Sequence, residues 1–423
     1  MQSVELGAVA DQDQTQRPTD LFLIFAGANI VATTLQIGGW VTGFSFRTAM
    51  LVIAAGAIGG AWLVAALAPV GSRLRVPSIV AIRAALGYRG AQSVAVLLFV
   101  TNFAWIAVNN VIAASIVARL VSGPAADHQA AWAVAIGVLA TITVLGGPRA
   151  VGYADRFAVP ALFLSGIAMT IACLRTPWPA TTAPAASVTQ VLRGFDFPFG
   201  YQTTWLLMFA DYSRYSRSGR RSAVAVFAGL GITALWFMPL GLIASMVAHS
   251  QDPGAMVFAL GLGWWGGTLL LLGTLTTNFV NIYMSALALK SLRPDTGNAG
   301  AVWLIGGVGA ALSVLNSVWI EQFANFIGLL AGLFVPIGGL LIAHFLILKR
   351  THAAADLYPG PNRAAPRVGL WSVGGMTAWI AGAAVFYLAA PIGGTLPSLT
   401  VSVLIYLAAA RVAAGPTRSK VHP

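Results

Sequence analysis

The sequence predicts an all-α polytopic membrane protein of about twelve transmembrane helices, and three observations carry that expectation. Hydrophobic residues make up 58% of the 423 and charged residues only 9%, with a mean hydropathy of +0.80. A soluble domain has about 25% charged residues. Apolar runs long enough to cross a bilayer, roughly 20 residues each, recur from Leu21 to Leu407. The segments between them concentrate the basic residues on alternate sides of the expected membrane.

In order, the runs fall at 21–43, 48–70, 91–120, 130–147, 157–175, 197–213, 222–248, 262–289, 299–317, 323–348, 370–390 and 395–411. Twelve spans put both ends on one side. Counted from that side, 20 of the 24 Lys and Arg lie inside, and only Arg47, Arg119, Arg175 and Arg193 lie outside. This asymmetry sets the expected orientation, with both termini cytoplasmic, in a bacterial inner (plasma) membrane. It also accounts for the net charge of +12 with the lipid bilayer, and no nucleic acid, as partner.

Residues 1–20 are polar and lack the basic, apolar and cleavage regions of a signal peptide. They read as a flexible cytoplasmic tail, and residues 412–423 as a second one. Between the tails, 21–411 is one transmembrane domain. Ala180–Val191 reads as an outside loop, Pro253–Leu289 as a short helix followed by a span, and Tyr358–Pro366 as a cytoplasmic connector before the last two spans. Cys173 is the only cysteine, which excludes an internal disulfide or a cysteine metal cluster. The five histidines do not group with a nucleophile at one depth, so the chain does not read as an enzyme.

All twelve acidic residues fall in tails, loops or span ends. With no carboxylate at mid-membrane, a solute held there is expected to be uncharged. Neutral polar residues, by contrast, form stripes. The eighth run carries Thr274, Thr277, Asn278, Asn281 and Ser285 on one helical face. Such a face must turn toward protein or a wet cavity, either as interhelical glue or as a binding surface. The third run puts Asn102, Trp105 and Asn109 on one face, an amide beside a ring that suits a planar heterocycle. The first run carries Asn29, Thr33 and Gln36 among Gly27, Gly38 and Gly39. In the sixth, Pro198 and Gly200 interrupt the helix ahead of Gln202, Thr203 and Thr204. Interruptions at matching places in two halves point to a carrier's binding site.

Four motifs in order give the chain a family resemblance. GSRLRVPSIVAIRAALGYRG (71–90), FADYSRY (209–215), TTN (276–278) with Tyr283, and PIGGLLIAHFLILKR (336–350) resemble the nucleobase:cation symporter family of cytosine, purine, hydantoin and allantoin permeases. The resemblance covers residue 20 to the end and lies nearest the cytosine, purine and hydroxymethylpyrimidine branch.

It implies a LeuT-type fold, with an inverted repeat of 21–175 and 197–348 and two appended helices at 370–411. It implies a sodium site at the positions of Gly27, Ile30, Gly273, Thr276 and Thr277, neutral oxygens that suit a hard cation. It implies a substrate site with Asn102 where cytosine permeases carry glutamine, Trp105 as the stacking ring, and Asn278 and Asn281 as amides. Gln202 stands where relatives place a second stacking ring, with Tyr201 beside it and Thr203 and Trp205 following. His344 replaces a common acidic residue. The expected function is import of a small neutral nitrogen heterocycle by cation symport through alternating access, with sodium as coupling ion and no cofactor. The alternative is a proton-coupled carrier of another cargo such as allantoin, hydantoin or an amino acid; a membrane-embedded enzyme or receptor is remotest.

Overall fold

In lipid every backbone N–H and C=O needs a partner within the protein, and helices supply it here. The computed structural model describes residues 6–121, 126–177, 185–293, 295–360 and 366–414, and no strand occurs among them. The first run forms two helices, α1 (Pro18–Asn29) and α2 (Ala32–Gly39), bent by 58°. The second is α3 (Phe46–Leu74). Two single turns, α4 (Ser78–Ala81) and α5 (Arg83–Leu86), lead into α6 (Tyr88–Leu120), followed by α7 (Gln129–Leu145) and α8 (Gly147–Arg175). The sixth run is α9 (Val188–Thr203) with a tight 3₁₀ turn at Leu206–Met208. A π-turn, Ala228–Ile232, joins α10 (Gly219–Phe227) to α11 (Thr233–Ala248). A short α12 (Pro253–Ala259) precedes α13 (Gly263–Leu292), then come α14 (Asn298–Leu312) and α15 (Asn316–Ile342), which ends in a second π-turn at Ala343–Ile347. The last two runs are α16 (Val373–Leu388) and α17 (Thr395–Ala414).

Each of the twelve expected runs thus coincides with a helical segment. Among the described residues six units are long and apolar enough to span alone, seven counting the bent pair, and four shorter apolar helices occupy other runs. Three starts move by more than five residues. The fifth run begins at Gly147 rather than 157. The sixth run begins at Val188, nine residues before the expected 197, because Ser187 and Gln190 form a reciprocal cap there. The tenth begins at Asn316 rather than 323.

The first interruption has a local cause. After Asn29 the chain passes through Ile30 (φ −85°, ψ 69°) and extended Val31 before helix resumes. The Thr34 hydroxyl donates to the freed Asn29 carbonyl at 2.5 Å. α9, by contrast, runs unbroken through Pro198 and Gly200, where the sequence predicts its interruption. It ends only at Thr203, where the Thr203 and Thr204 hydroxyls donate to the Gly200 and Tyr201 carbonyls at 2.8 and 2.7 Å. Side chains competing for backbone acceptors in this way loosen a helix end.

Glycines set the closest crossing. A Cβ on Gly38 would lie 1.9 Å from the Met238 carbonyl oxygen, and one on Gly241 would lie 1.9 Å from that of Leu35. Backbone therefore meets backbone where α2 crosses α11, a contact only Gly permits.

The amino-terminal segment is not the flexible tail expected, at least from residue 6 onward; residues 1–5 lie outside the described residues. The Gln14 amide is buried and donates to the carbonyls of Ser72, Arg214 and Ser216 (3.0–3.2 Å). Val9 N–H bonds the Arg75 carbonyl at 2.8 Å, Asp11 pairs with Arg75, and the Tyr358 hydroxyl donates to the Leu6 carbonyl. The segment thus ties the α3–α4 turn, the sixth-run exit and the connector after α15. Buried Arg83 reinforces the connector, donating to the Leu357 carbonyl at 3.0 Å between the rings of Tyr88 and Tyr358.

Candidate functional site

Unpaired amide atoms locate the site. A buried polar atom without a partner costs about 1–3 kcal/mol, so such atoms are rare unless something else binds them. Here five belong to amide side chains on four neighbouring helices: Gln36 Oε1 on α2, Asn102 Nδ2 on α6, Gln202 Oε1 on α9, and Asn278 Oδ1 and Asn281 Nδ2 on α13. Together they offer two donors and three acceptors, a pattern that complements a ligand edge carrying both kinds of group.

Aromatic side chains wall this region. Trp105 on α6 meets Tyr201 of α9 edge to face at 6.3 Å, Phe323 at 5.9 Å and Phe326 at 5.4 Å, both on α15. Phe323 also packs on Trp40 at 5.2 Å. On the arginine-poor side of this layer lies a cavity of ≈ 390 Å³, reaching past Val108, Ile112 and Ser115 to Arg119. At its mouth Arg119 pairs with Asp252 (2.9 Å), which also accepts from Ser115 at 2.8 Å. Gln36, Trp40 and Phe323 line the same cavity. Phe323 thus lines the cavity on one side and meets Trp105 on the other.

The broken first run and α9 meet at Tyr201. Since the Thr34 proton is committed to the Asn29 carbonyl, the Tyr201 hydroxyl donates to Thr34 and accepts from Thr33, each at 2.8 Å. The Asn29 amide donates to the Leu230 carbonyl and the Thr233 hydroxyl (2.8 and 2.9 Å) and accepts from Gln202 at 3.3 Å. The broken first run is thereby tied to α9 and to the π-turn of the seventh.

The expected substrate residues divide on this geometry. Asn102 and Asn281 keep free amide donors, and Trp105 presents its ring beside Tyr201. Gln202 spends its donor on Asn29 and keeps its acceptor free. Thr203 returns its proton to Gly200. Trp205, expected among the substrate residues, meets Phe25 of α1 at 6.3 Å. The ring facing Trp105 is Tyr201.

Asn278 leans toward the glue reading. It donates to Asn110 at 2.7 Å, and Asn110 donates to Ser313 at 3.0 Å, so the chain crosses α13, α6 and α14. Asn110→Ala strands the Asn278 donor, so the unfolding temperature should fall by an amount equivalent to about 1–3 kcal/mol. Solute affinity should stay within about twofold, where a tenfold change would be 1.4 kcal/mol. A loss of affinity without a loss of stability would instead place Asn110 in the site.

The five expected cation positions lie on α13 and at the first-run break. Thr276 and Thr277 both donate to the Gly273 carbonyl, at 2.9 and 3.0 Å. Both hydroxyls thus spend their protons on the backbone of their own helix. Ile30 is fully buried at the break, with Gly27 one turn before it. The oxygens at these five positions are backbone carbonyls and threonine hydroxyls, hence neutral.

Sequence reading passed over three contributors. Phe323 and Phe326 stand among exposed Glu321, Gln322 and Asn325, which mark the opposite face and could have pointed to them. Asn110 was masked by Asn109, whose amide turns back to the Trp105 carbonyl at 3.0 Å. His344, without explanation in the sequence, is fully buried. Its Nδ1 lies 2.6 Å from the Tyr406 hydroxyl of α17, and its Nε2 lies 2.9 Å from Nε2 of His352 in the connector.

Comparison with known proteins agrees with this architecture. Residues 8–408 match the family described as permease for cytosine/purines, uracil, thiamine, allantoin. A putative purine-cytosine permease, YxlA of Bacillus subtilis (strain 168), is 24% identical over 353 residues, 78% of this chain and 75% of that one. Among solved structures the chain resembles MHP1, a nucleobase-cation-symport-1 family transporter, in a closed conformation with bromovinylhydantoin bound. The TM-score is 0.80 and the identity 18%, covering 98% of this chain and 96% of that one. The inward-facing conformation of MHP1 gives 0.79 and 17%, covering 96% and 94%. The fold is the LeuT type, with five plus five spans in inverted repeat and two appended.

Proposed function

The chain belongs to the permease family for cytosine/purines, uracil, thiamine and allantoin, and we propose that it imports a small neutral nitrogen heterocycle by symport with sodium. It is a transporter and not an enzyme. The observation that carries the substrate reading is the set of unpaired amide atoms on α2, α6, α9 and α13, with the Trp105–Tyr201 ring contact between α6 and α9. A heterocycle edge offers the donors and acceptors they lack, and its face offers a surface to the rings. Asn102, Asn281 and Gln202 would bond the edge, while Trp105 and Tyr201 would bound the ring. The repeats would be 21–175 and 197–348, with 370–411 appended. The arginine-rich side would face the cytoplasm of a bacterial cell.

Sodium would be held by the carbonyls of Gly27, Ile30 and Gly273 and the hydroxyls of Thr276 and Thr277. The ion would bridge α13 and the broken first run, so its binding would favour one arrangement of the two. Thr233 and Leu230, which hold Asn29, would carry that change toward the seventh run. Uptake into proteoliposomes tests the reading. A sodium gradient should drive accumulation of at least one nucleobase, hydantoin, allantoin or hydroxymethylpyrimidine, and a pH gradient alone should not. Thr277→Ala should raise the sodium concentration for half-maximal uptake by about tenfold or more, equivalent to about 1.4 kcal/mol. An unchanged sodium dependence would remove Thr277 from the site.

Proton coupling is the second reading, favoured by the line of Tyr406, His344 and His352. Arg350 and Asp356 flank it from the connector. Burial pushes the His352 pKa below its usual range, with Arg350 acting the same way and Asp356 against it. Uptake that follows a pH gradient without sodium and fails in His352→Gln would favour this reading.

A further inference from the structure

A second binding surface lies away from the transport path, where the first and seventh runs enter the membrane on the arginine-rich side. A groove of ≈ 640 Å³ runs between α1 and α10. Its rim carries Arg220, Arg221 and Thr19, and its floor is apolar, with Phe22, Val224 and Ala228. Both arginines are exposed, and Val224 is 63% exposed. Among the described residues the ion pairs are Arg75–Asp11, Arg119–Asp252 and Arg367–Asp356, so none of the described carboxylates pairs with Arg220 or Arg221.

A cationic rim over an apolar floor at a membrane-entry point matches one occupant. We propose that this groove binds a single anionic phospholipid, with its phosphate on Arg220 and Arg221 and an acyl chain along Phe22, Val224 and Ala228. Charge complementarity selects the headgroup, since Arg pairs with phosphate oxygens through two parallel N–H donors. A general excess of basic residues on this side would account for arginines in open loops. It would not account for two of them over an apolar groove.

The position gives the lipid a mechanical role. Phe22 stands seven residues before Asn29, about 10 Å along α1. The opposite wall is the π-turn itself, where a Cβ on Gly229 would come within 2.8 Å of Phe25 and 3.0 Å of the Phe22 carbonyl. Leu230 and Thr233, on and just after that turn, hold Asn29 at the break. An acyl chain along Phe22 and Ala228 would press on the seam that holds the broken helix.

Delipidated protein in detergent tests the proposal by native mass spectrometry and thermal unfolding with added phosphatidylglycerol, phosphatidylcholine or glycerol phosphate. Phosphatidylglycerol should bind and raise the unfolding temperature, and the other two should not. R220Q/R221Q should weaken phosphatidylglycerol binding by about tenfold or more. Should that variant fail to fold, Val224→Trp fills the apolar floor with both arginines intact and should abolish the same effect. Equal stabilisation by phosphatidylcholine, a full effect of glycerol phosphate alone, or undiminished phosphatidylglycerol binding in both variants would overturn it.

Discussion

Gly241→Val should leave little or no monodisperse protein on size-exclusion chromatography, the largest stability effect expected from a single substitution here. At this crossing a Cβ would stand 1.9 Å from the Leu35 carbonyl oxygen, where the closest ordinary C···O contacts are about 3.3 Å. No side chain can move aside, because the obstacle is backbone. α11 would have to withdraw from α2 by more than an ångström, breaking the reciprocal fit of Gly38 on Met238 and displacing Thr33 and Thr34 from Tyr201. Overpacking a core costs about 1–3 kcal/mol and occasionally more, and a rigid obstacle belongs at the upper end. Gly307→Ala is the control, since a Cβ there meets nothing within 4 Å. A folded Gly241→Val with an unfolding temperature near that of the parent would mean the crossing is looser than described.

Trp105→Ala should cost the transporter most of its solute affinity while leaving it folded. The indole meets three rings, two from α15 and one from α9, and under the proposed function it supplies one face of the solute pocket. Stacking of a base on an aromatic side chain is worth about 1–3 kcal/mol by alanine substitution, equivalent to roughly 5- to 150-fold in affinity. Half-saturation for uptake should rise within that range, and Trp105→Phe should recover part of the loss. Tyr201→Phe should act differently. It keeps the ring and removes the hydroxyl that joins Thr33 and Thr34, so stability should fall more than affinity. Unchanged half-saturation in Trp105→Ala would move the solute away from this ring.

Much of the fold was legible because hydropathy reports directly on lipid exposure. All twelve runs were visible, but the breaks were misplaced: the first falls at Ile30–Val31 rather than at a glycine, and α9 runs unbroken through Pro198 and Gly200 to end at Thr203. The start of α9 was not visible, since Val188–Gly194 mixes polar with apolar residues, is largely exposed, and takes its helix start from the cap at Ser187. The polar stripe of the eighth run was correctly turned inward. Its division into Asn281, with a free donor, and Asn278, bonded to Asn110, depends on which helix lies opposite, and a single helix's periodicity does not contain that. The same holds for Tyr201 over Trp205: four residues apart on paper, they separate because the helix ends between them at Thr203. The tail was misread because its polarity suits solvent, while the carbonyls it binds belong to loops far along the chain.

That tail also imposes an order on biosynthesis. Gln14 leaves the ribosome early, but Ser216, whose carbonyl it binds, follows 202 residues later. At roughly 5–20 residues per second, about 10–40 s of translation separates the two. Tyr358, which closes on Leu6, emerges later still. The segment is therefore made before the residues that fasten it, and it waits while the helices beneath it are inserted.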